Sequence, residues 1–103
     1  MIRHLVALNF RDDTTQETKD QLMADLAGLS GHIDGIIDFQ ARPNVSVEDP
    51  VVRGFRDLFW FDFRDEGVRD VYLEDAAHRS VGARLVAQTE GGLDGIFVCD
   101  FEV

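Results

Sequence analysis

The chain has 103 residues, 20 acidic against 10 basic, for a formal net charge of −10, and Lys19 is its only lysine. Such a surface repels nucleic-acid phosphates and anionic membranes, and with no basic cluster to offset it nucleic-acid and membrane binding are excluded as functions. One domain spanning residues 1–103 is expected at this length. The 45% apolar content, with eight Phe, suffices for a core, although a domain this small buries only about 60–65% of its unfolded surface and gains from association.

The opening "MIRHLVALNF" alternates, with Ile2, His4, Val6, Leu8 and Phe10 on one face and Arg3, Leu5, Ala7 and Asn9 on the other, which predicts a strand. It is too short and too interrupted for a signal peptide or a membrane span. With Cys99 the single cysteine, there is no intrachain disulfide framework, and a cytoplasmic protein is expected. Thr14 and Glu17 have capping-box spacing ahead of a helix carrying Leu22, Met23, Leu26 and Leu29, with Gly31 as the stop.

"IIDFQARPNV" reads as a strand with Ile37, Phe39 and Ala41 on one face, and Pro43 ends it or marks an edge. A polar connection leads to "FRDLFWFDF", where Phe55, Asp57, Phe59, Phe61 and Phe63 share a face and Leu58 and Trp60 take the other. Asp65 caps a helix containing Val68, Val71 and Tyr72, and a second helical stretch, 77–89, uses Val81 and Leu85. The turn "EGGLDG" precedes a last strand, "IFVCDFEV". The turn has neither P-loop nor dinucleotide-binding spacing.

The order β-α-β-β-α-β predicts a ferredoxin-like α+β fold, with helices on one sheet face only. The opposite face, carrying Leu5, Ala7, Leu58 and Trp60, needs another cover, and a second copy of the chain packed sheet to sheet supplies it.

His4 lies on an apolar strand face, where a histidine is either a buried base or one satisfied by a carboxylate or backbone partner. Asp57 stands in a phenylalanine stripe, costly for a carboxylate unless it is paired or reaches water. His78 shares helical spacing with Val81 and Leu85, and Tyr72 faces inward with Val68. Each is read either as packing or as chemistry. Asp75 and His78 are three apart, but no complete ligand set accompanies them, so no metal is expected. His32 sits in a turn and reads as solvated, and Cys99 reads as a small hydrophobe between Phe97 and Phe101.

The segments "MIRHLVALNF", "GFRDLFWFDFRD", "VYLEDAAHRSV" and "VCDFEV" together resemble the Dabb family, the stress-responsive dimeric α/β-barrel proteins. The resemblance implies a ferredoxin-like subunit, a dimer whose sheets face each other as a barrel, and a pocket between sheet and helices. Some plant members are polyketide cyclases that close a ring by aldol chemistry without metal or cofactor. Their first-strand histidine corresponds to His4, their tyrosine to Tyr72 and their later histidine to His78. Asp57 stands where such cyclases have a third-strand histidine, and Asp75 replaces the first histidine of their His-Pro-Ala-His step. Both changes argue against the plant cyclases' own substrate.

His4, Asp57, Tyr72 and His78 are therefore the candidate catalytic residues, with no cofactor. His78 would act as base, His4 and Tyr72 would polarise a carbonyl, and Asp57 would orient a histidine. One reading is a cofactor-free cyclase, lyase or isomerase acting on a small carbonyl compound, with apolar or phenolic ligands in view. The other is a non-catalytic dimer, stress-associated or ligand-binding. Cofactor-independent monooxygenation rests on fold analogy alone.

Overall fold

Four strands and four helices follow one another as β1 (Ile2–Leu8), α1 (Gln16–Gly28), β2 (Ile36–Pro43), α2 (Asp49–Val52), β3 (Asp57–Phe63), α3 (Glu66–Glu74), α4 (Ala76–Gln88) and β4 (Ile96–Glu102). Short 3-10 turns lie at Leu29–Gly31 and Gly92–Gly95. The structure is a computed structural model and describes residues 1–103. The strands form one antiparallel sheet in the order β2-β3-β1-β4, the ferredoxin-like α+β arrangement. No helix is long and apolar enough to cross a membrane.

Alternation along the strands decides the two faces. Ile2, His4, Val6 and Leu8 of β1 and Phe59, Phe61 and Phe63 of β3 are buried against Leu22 and Leu26 of α1, Val68 and Tyr72 of α3, and Val81 and Leu85 of α4. His4 therefore lies beneath the helices, on the face opposite Trp60. Phe61 stacks on Phe63 with ring centroids 5.5 Å apart, and Tyr72 packs on both at 4.9 and 5.0 Å.

The outer face carries Leu5, Ala7, Leu58 and Trp60, all half-buried, and the exposed Phe97, Cys99 and Phe101 of β4. It also holds a two-pronged ion pair. Arg3 Nε and Nη2 donate to the buried Asp62 carboxylate at 2.8 and 3.0 Å, and the Arg3 guanidinium lies 5.4 Å from the Trp60 ring centre.

Four local expectations change. The α1 cap is Thr15, whose hydroxyl accepts the Thr18 N–H at 3.1 Å. Thr14 instead donates to the Gln88 carbonyl at 3.0 Å, after a turn in which its own N–H donates to the Arg11 carbonyl. A bulge between Ile36 and Asp38 turns Ile37 out to solvent, so Ile36, Phe39 and Ala41 pack on the core. Phe55 precedes β3 rather than sharing its face, in a turn after α2, a short helix within the polar connection. Cys99 is exposed rather than packed.

Gly35, at φ +94°, enters β2 where a Cβ would meet Val68 Cγ2 at 2.5 Å, so only glycine lets β2 pass this close to α3.

Candidate functional site

One interruption in the helical layer brings the polar side chains together. Asp75, extended at φ −65° and ψ 130°, ends α3 and caps α4, its carboxylate accepting the His78 N–H at 2.9 Å. The resulting turn folds the start of α4 back on the end of α3. Tyr72 and His78 rings then lie 3.8 Å apart between centroids. Below them His4 projects up from β1, its ring 5.5 Å from that of Tyr72.

Register supplies the fourth group. β4 pairs with β1 so that Asp100 lies opposite His4, and the Asp100 carboxylate meets His4 Nδ1 at 2.6 Å. Arg69, one turn before Tyr72 on α3, approaches the other Asp100 oxygen at 3.4 Å.

His4, Tyr72, His78 and Asp100 share a cavity of about 330 Å³ between the sheet and helices α3 and α4. Val6, Leu8, Phe59, Leu85, Val86, Ile96 and Val98 make the rest of its wall mostly apolar. Hollows of about 370 and 540 Å³ lie elsewhere, around Lys19 and His32. Their charged side chains include the pairs Lys19–Asp57, His32–Asp75 and Arg64–Asp65, and neither hollow holds His4, Tyr72 or His78.

Burial and the neighbouring His4 push the His78 imidazole below its ordinary range, against the opposing pull of the Tyr72 and Leu73 carbonyls and Asp75. None of these groups bonds its Nδ1, which is buried without a partner. Burial, and secondarily the Asp100 charge, push the Tyr72 phenol above its ordinary value, which keeps its proton in place as a donor.

Asp57 corrects the expected set. Because β3 runs antiparallel to β1, Asp57 falls opposite Leu8, four residues along the strand from His4, or about 13 Å. It pairs with Lys19 at 3.4 Å and lies outside the cavity. The carboxylate that meets a histidine is Asp100. Alternation with Ile96 and Val98 put it on the inner face, but β4 had to be placed beside β1 before that mattered.

His32 is also bonded, its Nε2 meeting Asp75 at 2.6 Å. With one Asp75 oxygen on His32 and the other on the His78 N–H, Asp75 serves as a cap.

The chain belongs to the Dabb family, whose model, the Stress Responsive A/B Barrel Domain, matches residues 2–103. Among solved structures it is similar to a dimeric ferredoxin-like protein of unknown function from a Jannaschia species. That protein shares 31% identity over 99% of this chain and 98% of its own, with a TM-score of 0.88. A Dabb family protein with a ferredoxin-like fold from Mesorhizobium loti shares 18% identity over 99% and 95%, with a TM-score of 0.76. The hydroxynitrile lyase of Passiflora edulis shares 16% over 99% and 92%, with a TM-score of 0.81. At these last two identities the likeness is one of fold. No curated protein sequence matches this chain at a significant level.

Proposed function

We propose that this Dabb protein is a cofactor-free lyase, cyclase or isomerase that removes a proton beside the carbonyl of a small uncharged compound. One observation carries the reading: His4, Tyr72 and His78 line one cavity, and His4 is held by Asp100. His78, kept neutral by burial, is the base. The enolate oxygen would be met by the Tyr72 phenol and by the Nε2–H of a His4 imidazolium. Asp100 holds His4 Nδ1 and stabilises positive charge on that ring, the part first assigned to Asp57. The cavity wall holds a carboxylate and no lysine or arginine, which favours neutral ligands over acids and phosphates. The acidic surface and single free cysteine support a cytoplasmic setting.

A thermal-shift screen of phenolic and β-keto compounds on wild type and His78→Ala tests the reading. At a ligand concentration of 100 Kd, binding adds about 2.7 kcal/mol to wild-type stability, a shift of several degrees. The catalytic reading expects such stabilisation in wild type and its loss in His78→Ala. Equal stabilisation of both proteins would point to a binding protein instead, and none in either would remove the site. Asp100→Asn is expected to slow turnover at saturating substrate by about 10²-fold or more, with ligand affinity nearly unchanged, since an amide carries no charge to stabilise a His4 imidazolium. Unchanged turnover in that variant would show that the Asp100–His4 contact is only structural.

The outer sheet face is read as the contact with a second copy, in keeping with the dimeric Jannaschia structure. Phe97 is 56% exposed there, so its replacement spares the subunit's own core. In sedimentation at micromolar concentration, wild type should run as a dimer. Phe97→Glu should dissociate about thirty-fold more readily or beyond, as expected when a charge replaces an aromatic buried in an interface. A monomeric wild type would refute the sheet-to-sheet contact.

A further inference from the structure

We propose that Gly82 is the specificity-determining residue of this cavity, its missing side chain leaving room for an apolar arm on the carbonyl compound. The proposal rests on the carbonyl-site reading above and adds the shape of the ligand to it.

Gly82 is interior to α4, a 13-residue helix, where glycine is among the poorest formers. Its backbone does not require glycine, since the positive-φ glycines are Gly35, Gly54, Gly91 and Gly92. Packing does not require it either, for a Cβ built there meets nothing within 4 Å. Gly28 and Gly31 are equally free of neighbours, but they close α1 and the turn after it, where glycine is common. Gly82 alone of the three is in mid-helix, and it forms part of the cavity wall.

Its position gives that gap a direction. Gly82 follows His78 by four residues, so the two share a helix face, and Leu85 and Val86 lie on the next turn. On the sheet opposite, the inner face runs from the polar pair His4 and Asp100 through Val6 and Val98 to Leu8 and Ile96. A ketone oxygen held at the His4–Tyr72 end would send its substituent past Gly82 toward the apolar end. A side chain at 82 would grow into that path.

Calorimetric titration of wild type, Gly82→Ala and Gly82→Leu with acetophenone and hexanophenone tests this. Wild type should bind both ketones. Gly82→Ala should melt about 4–8 °C higher, the return on replacing a mid-helix glycine. Gly82→Leu should weaken hexanophenone about tenfold or more and change acetophenone less than about threefold. Should the leucine variant not melt cooperatively, Gly82→Ala decides by the same comparison, with hexanophenone weakened about threefold and acetophenone unmoved.

Undiminished hexanophenone binding in the folded variants, or a lower melting temperature for Gly82→Ala, overturns the assignment while leaving the carbonyl site standing. A wild type that binds neither ketone takes both down together.

Discussion

Replacing His78 with alanine is expected to lower enzyme-catalysed α-proton exchange of an aryl alkyl ketone in deuterated water by about 10²–10⁴-fold, the usual contribution of a positioned base. The assay needs no knowledge of the natural substrate, because it follows only removal and return of the proton beside the carbonyl. Folding should survive. The ring nitrogen Nδ1 has no bond to lose, the main-chain bond from residue 78 to Asp75 is kept, and alanine suits a helix.

The pH dependence follows from the depressed imidazole. The base works when deprotonated, so the wild-type rate should rise with pH and level off with an apparent midpoint below about 6.5, the ordinary histidine value. Stability carries the same sign. The unfolded chain, with an ordinary imidazole, binds the proton more tightly than the native one, so stability is lost as pH falls through and below about 6.5. His78→Ala should show a smaller fall in urea midpoint between pH 7.5 and 5 than wild type. An exchange rate unchanged in the variant, or a midpoint above 6.5, rules His78 out as base.

Tyr72 separates packing from chemistry. Its ring is 1% exposed and touches Phe61, Phe63, His4 and His78. Tyr72→Ala should cost about 3–5 kcal/mol through the cavity it leaves. That is a large part of the 5–15 kcal/mol typical of a folded domain. Tyr72→Phe keeps the ring and removes only the hydroxyl, whose environment is set by burial and the Asp100 charge. Stability by urea titration should then move by less than about 1 kcal/mol, while ketone exchange falls by about 10²–10³-fold, as when one oxyanion donor is lost. Full activity in Tyr72→Phe would leave the phenol a packing residue.

Periodicity reveals contacts within an element more readily than contacts between elements, and the residues divide accordingly. Alternation along β1 set His4 apart from Leu5 and Ala7, alternation along β3 set Trp60 apart from Phe59 and Phe61, and helical spacing turned Tyr72 and His78 inward. Asp57 shared the phenylalanine stripe just as convincingly, but a face says nothing about position along it. Only antiparallel register shows that Asp57 lies opposite Leu8 and that Asp100 meets His4. The same limit explains Ile37, whose exposure comes from a bulge that one strand's alternation cannot announce. The Thr14 cap failed for a tertiary reason, since its hydroxyl is taken by the Gln88 carbonyl at the end of α4. Asp75 read only as a possible metal partner of His78 and as a replacement for a histidine, not as the cap it proves to be. That it also breaks the helix, and so stacks Tyr72 against His78, needed its extended backbone to be seen.

β4 is an edge strand that works in both directions. Ile96, Val98 and Asp100 look into the cavity while Phe97, Cys99 and Phe101 look away from it. Edge strands fray first, and fraying here would loosen the carboxylate that aims His4. Whatever clamps this ribbon from outside would therefore also steady the acid within, so that in the proposed enzyme company on one side of the wall would tune reactivity on the other.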